Sequence, residues 1–95
     1  MKLILRVRAR QDIDSVLDYT EATHGADAAE AYFTLVELAL IRLTEHPQLG
    51  MARPDLSRGM RSYPVGEHRI YYLLTTDRVL IVRILHKSMD EIRHL

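Results

Sequence analysis

Two changes of pattern along this sequence predict an α+β fold, an antiparallel sheet with a two-helix hairpin packed on one face. From about Ala9 to Thr44 the apolar residues recur at helical spacing, whereas from Met60 to His86 they follow a period near two. A single glycine separates the two helical stretches, and one loop of any length separates the helices from the strands. With a short strand ahead of the helices, the order is β-α-α-β-β-β in one domain, residues 1–95.

The first strand covers residues 2–7, with Leu3, Leu5 and Val7 alternating with Ile4 and Arg6. The first helix starts near Ala9. It sets Ala9, Ile13, Val16, Leu17 and Thr20 on one face and Asp12, Asp14 and Asp18 on the other, and it ends at His24-Gly25. Asp27 is the expected N-cap of the second helix, with Glu30 three residues on as in a capping box. Its stripe Ala29, Tyr32, Phe33, Val36, Ala39, Leu40, Leu43 runs to the stop at His46-Pro47. Leu35, Leu38 and Ile41 widen the apolar surface beyond one stripe, as expected of a helix with a face kept for a partner.

Residues 47–58 read as a loop, rich in turn formers such as Pro47, Gly50, Pro54 and Asp55. Three strands follow, Met60–Pro64, His68–Thr75 and Val79–His86, with Thr76-Asp77 as a tight turn. Pro64 implies that the first of these is short or at an edge. The last is apolar on both faces, which marks a central strand or one that meets a partner. The sheet face away from the helices is expected to be partly open, and to be the place to look for function.

Composition narrows the chemistry. With no cysteine, disulfides, thiolate metal sites and cysteine nucleophiles are excluded. The five histidines have no metal-ligand spacing, and there is no glycine-rich phosphate loop, so no metal or cofactor is expected. Leu3-Ile4-Leu5 is too short for a signal-peptide core or a membrane span, and a cytoplasmic protein is expected. The net charge is zero but unevenly spread. Residues 1–10 carry four basic residues and no acid; residues 11–50 carry eight acids against Arg42 alone; residues 51–95 carry eight basic residues against five acids. The two signs either neutralise each other between helices and sheet or leave a basic face for an acidic partner. Tyr71 and Tyr72, adjacent in a strand, point to opposite faces, and neutral net charge argues against direct binding of DNA by this chain.

The motifs carry a resemblance. A turn followed by His68-Arg69-Ile70-Tyr71-Tyr72, a hairpin, and then Ile81-Val82-Arg83-Ile84-Leu85-His86 resembles the ParE branch of the ParE/RelE toxin superfamily. So do His46-Pro47-Gln48-Leu49-Gly50 upstream and Leu85-His86-Lys87-Ser88-Met89-Asp90, with Arg93-His94-Leu95, at the end. Many members of that family have Gly-Arg-Arg-Asp after the histidine, where this chain has Lys87-Ser88-Met89-Asp90, so two cations of a basic patch are missing.

The resemblance implies the toxic component of a type II toxin–antitoxin system, a non-enzymatic inhibitor that binds DNA gyrase and is neutralised by a ParD-like antitoxin. It implies an antitoxin helix on Leu35, Leu38 and Ile41, an acidic antitoxin tail on a sheet face carrying Arg61 and Arg69, and a target surface at Arg83, His86, Lys87 and Met89. The alternative, a ribosome-dependent messenger-RNA endonuclease of the RelE kind, needs a general acid, a general base and phosphate-clamping cations. His86, Arg83 and Arg61 are the candidates for those roles, although no tyrosine follows residue 72. A non-toxic, antitoxin-binding relative acting in operon autoregulation is a further alternative. Arg83, inside an apolar strand, could instead pair with Glu67 or Asp90 and anchor the tail.

Overall fold

The computed structural model describes residues 1–95. Strand β1 (Lys2–Leu5) leads into helix α1 (Val7–His24), and Gly25 alone turns the chain into helix α2 (Ala26–Glu45). Gly25 closes the first helix by donating to Glu21 O and opens the second by accepting from Ala29 N. Its φ of 95° is a conformation that a side chain would strain, so glycine permits a one-residue link. Asp27 is therefore not the N-cap: Gly25 takes that position, no side chain caps the helix, and the capping box with Glu30 does not form. Asp27 lies in the first turn, where its charge favours the positive helix end.

Strand β1 stops two residues short of the expected boundary. Arg6 N makes the last ladder bond, to Ile81 O, and Arg6 then becomes the N-cap of α1, with no side-chain cap and no acid in the first turn. After α2 come β2 (Met51–Ala52), β3 (Met60–Val65), β4 (His68–Leu74), β5 (Arg78–His86) and a four-residue helix α3 (Glu91–His94). The sheet order is β1-β5-β4-β3-β2. The meander β3-β4-β5 is antiparallel as expected, but β1 joins β5 in parallel, and β2 pairs Met51 and Ala52 with Ser62 and Arg61 inside the stretch expected to be loop. Pro64 is tolerated because β2 has ended before it, so its missing N–H faces no strand on that side.

The helices cover one sheet face. Val36, Leu40 and Leu43 of α2 pack with Ile70, Tyr72 and Ile81 of the sheet in the main core. Tyr71 joins Met60 and Leu85 in a smaller cluster on the other face, so the adjacent tyrosines do point opposite ways. A bulge at Val82 shifts the β4–β5 register: Tyr71 opposes Arg83, while Tyr72 opposes Ile81. The outer face is not the open surface expected. Leu56, from the loop before β3, packs on its cluster, and Glu91 of α3 receives the Tyr71 hydroxyl there.

Candidate functional site

Helix α2 presents two surfaces beyond its core stripe. Leu35, Leu38 and Ile41, spaced i, i+3, i+6, form a continuous outward row, and Leu38 is 59% exposed. Between α1 and α2 runs a groove of about 460 Å³, lined by Leu3 and Leu5 of β1, Ile13, Phe33, Leu40 and Ile41. Arg10, Asp14 and Glu37 supply its charge. Only Ile41 of the three expected residues reaches the groove; Leu35 and Leu38 extend the apolar surface outward from it. Strand β1 is the sheet edge beside this groove, with one side of its backbone unpaired.

The cations expected on one basic sheet face separate. Arg61 opposes Tyr72 and so lies on the helix side, where its Nη1 donates to Gly50 O at 2.6 Å and to Gln48 O at 3.3 Å. Arg69 is two residues before Tyr71 and lies, exposed, on the outer face. The loop that Arg61 grips is organised by a buried phenol. Tyr72 Oη donates to Pro47 O and accepts from Gly50 N, both at 2.8 Å. The run His46-Pro47-Gln48-Leu49-Gly50 thus holds one end of the sheet against the end of α2.

Arg83 is a fixed strut. Its Nε and Nη2 donate to the two carboxylate oxygens of Asp12 at 2.7 and 2.9 Å, and its Nη1 donates to His94 O. The partner is neither Glu67 nor Asp90, because those are engaged locally. Glu67 pairs with Lys87 at 2.6 Å, and Asp90 caps Ile92 N at 3.1 Å. Asp12 is there because β1 ends level with Ile81. Beyond it Ile84 N has no strand to pair with, and Asp12 Oδ2 accepts it at 2.9 Å. The Asp12 carboxylate raises the pKa of Arg83 further, so this cation is permanent.

His86 lies elsewhere, opposite His68, with the two rings edge to face at 5.2 Å. His68 Nδ1 is 2.6 Å from the Tyr32 hydroxyl, which also accepts Glu67 N at 3.1 Å. His86 Nδ1 accepts Ser88 N at 3.1 Å, so a neutral His86 carries its proton on Nε2. Burial pushes the His68 pKa down, and the nearby charge of His86 adds to the effect. With Tyr19, His24 and Thr20 these groups line a cleft of about 440 Å³. Lys87 stands beside it, and Met89 follows in the next turn, 37% exposed. The structure therefore joins His86 to Lys87 but separates both from Arg83. The trio His86, Arg83 and Arg61 does not converge. Sequence reasoning missed His68 and Tyr32, since Tyr32 falls on the core stripe of α2 and its hydroxyl reaches the sheet only through the tertiary fold.

Comparison with known proteins agrees with this architecture. Residues 3–91 match the family described as the ParE toxin of the type II toxin–antitoxin system parDE. The chain is 33% identical over 88 residues to Toxin ParE1 of Caulobacter vibrioides, covering 93% of this chain and 91% of that one. It is 30% identical over 95 residues to Toxin ParE1 of Mycobacterium tuberculosis, covering 99% and 97%. A solved structure titled "Chromosomal ParDE TA system from P. aeruginosa" shares the fold at a TM-score of 0.79, with 19% identity over 90% of this chain and 95% of that one.

Proposed function

From the premise that the chain belongs to the ParE toxins of type II toxin–antitoxin systems, we propose that it acts by binding rather than catalysis, as an inhibitor of DNA gyrase silenced by a ParD-like antitoxin. The observation that carries the binding reading is the apolar surface of α2 and its groove, exposed on a chain whose own core is already complete. An amphipathic antitoxin helix would lay its apolar face into the groove, with Leu38 and Ile41 at its border. An extended antitoxin segment would pair with the free edge of β1. Arg83 and Arg61, each committed to internal acceptors, are poorly placed to clamp a phosphate.

A supercoiling assay with purified gyrase tests the target. Loss of supercoiling at stoichiometric toxin, relieved by the antitoxin encoded beside it, is the expected result; full supercoiling at large excess of toxin defeats the gyrase reading. Leu38→Glu should weaken antitoxin binding by at least tenfold, a cost of about 1.4 kcal/mol, without altering the fold. The messenger-RNA cleavage reading has one observation in its favour, the His68–His86 pair beside Lys87. Cleaved message in a translation extract, abolished by His86→Ala, would establish it in place of gyrase binding.

A further inference from the structure

The outer sheet face holds a carboxylate in a prepared site. Arg53 forks onto Glu91, Nη1 to Oε2 at 2.7 Å and Nη2 to Oε1 at 3.1 Å, and the Tyr71 hydroxyl donates to the same Oε2. Both donors are fixed. Arg53 N bonds Met60 O at 2.7 Å and the guanidinium is braced by Asp55, while Tyr71 is 2% exposed. The occupant is not fixed in this way. Helix α3 spans four residues and buries none of them, and Ile92 is 80% exposed. Apart from the turn at its start, the tail is tied to the body by Glu91 and by the bond from Arg83 to His94 O. Arg69, exposed on the same face, makes no ion pair.

We propose that Arg53, Tyr71 and Arg69 form a carboxylate-recognition site, that Glu91 of the chain's own tail fills it, and that an acidic extended segment of a partner replaces Glu91 there. The present occupant shows the chemistry the site takes. A bidentate guanidinium and a buried phenol match a carboxylate oxygen for oxygen. Exchanging one carboxylate for another re-forms the same bonds, so displacement leaves no buried charge unpaired. The tail buries no residue completely, Ile92 is mostly exposed and Leu95 is only partly covered, so a partner that also packs on Leu56, Leu73 and Val82 outcompetes it. A second acid on the partner would meet Arg69. The surface is acid-selective because its free charge is positive, and the tail makes it conditional: the site binds only in proportion to the fraction of molecules whose tail has lifted.

The probe is a fluorescein-labelled octapeptide alternating Glu and Val, with a Gln-for-Glu counterpart, titrated against the full chain by anisotropy. Removing the internal competitor with Glu91→Gln should tighten binding of the acidic peptide about tenfold, as for a tail that covers the site about nine-tenths of the time. The Gln peptide should bind neither protein. On saturation, amide exchange at residues 91–95 of the wild type should accelerate. Tyr71→Phe keeps the buried ring but removes the donor, and in the Glu91→Gln background it should reverse the gain. Equal affinity of the wild type and Glu91→Gln, binding of the Gln peptide as well as the acidic one, or unchanged tail exchange at saturation would each overturn the proposal.

Discussion

At the scale of single residues, the Asp12–Arg83 pair shows how a charge is kept inside an apolar strand. Both side chains are nearly covered, at 10% and 13% exposure for Arg83 and Asp12, and each is fully bonded. Removing one partner leaves the other charge buried alone, so Arg83→Ala and Asp12→Ala should each destabilise the fold by about 3 kcal/mol. The double variant should cost much less than the sum of the two, which a chemical-denaturation cycle measures. Gly50 is a second such residue. A Cβ there would stand 2.5 Å from Tyr72 Oη and 2.9 Å from Ser62 O, and the latter is backbone that cannot give way. Gly50→Ala should therefore cost about 2 kcal/mol, seen as a lowered thermal midpoint and a tyrosine environment changed at Tyr72. Gly50 was visible in the sequence as part of a turn-rich motif, but its reason was not. The constraint comes from a tyrosine 22 residues away, and no local pattern encodes that approach.

Among the elements, α2 was the most legible, because a 20-residue helix repeats its apolar spacing often enough to fix its face. The same spacing separates its core face from the outward face proposed to take the antitoxin. Leu43→Ala, on the buried side, should cost about 3 kcal/mol in stability. Leu38→Ala, on the outward side, should stay within about 0.5 kcal/mol and act instead on the affinity for the antitoxin. Urea unfolding and a binding titration on the two variants together check that division. The elements that escaped the sequence are those whose partners are distant or whose length is minimal. Two-residue β2 exists only by pairing with Ser62 and Arg61, and the parallel alignment of β1 is decided by β5, more than 70 residues later. Helix α3 has no buried residue to leave a hydrophobic signal. The boundaries at Arg6 and Gly25 moved for a related reason: ladder bonds and a one-residue link, not side-chain caps, set them.

Over the whole molecule, the acidic middle and basic ends read from the sequence do not neutralise each other by direct pairing. Of the five ion pairs, Arg83–Asp12 alone joins the α1–α2 hairpin to the sheet. The pairs within the C-terminal half, together with the half-buried His68, give the fold a defined response to acid. His68 has a pKa below its ordinary 6.5, first through burial and then through His86. Above that value it is neutral whether the chain is folded or not, and it costs nothing. As the pH falls through 6.5 the unfolded chain takes up the proton first, so stability declines until folded His68 protonates too. Glu91 is held below its ordinary 4.5 by its bonds to Arg53 and Tyr71. Its contribution is complete above 4.5 and is lost as the pH falls through the lowered value. Thermal midpoints followed from mildly alkaline conditions down to about pH 3 should therefore fall in two separate limbs. His68→Gln should flatten the upper limb and leave the lower one, and Glu91→Gln should do the reverse. An upper limb that persists in His68→Gln would transfer that proton to another histidine. A lower limb that persists in Glu91→Gln would pass to Asp55 and Glu67, whose carboxyls Arg53 and Lys87 also hold below the ordinary range.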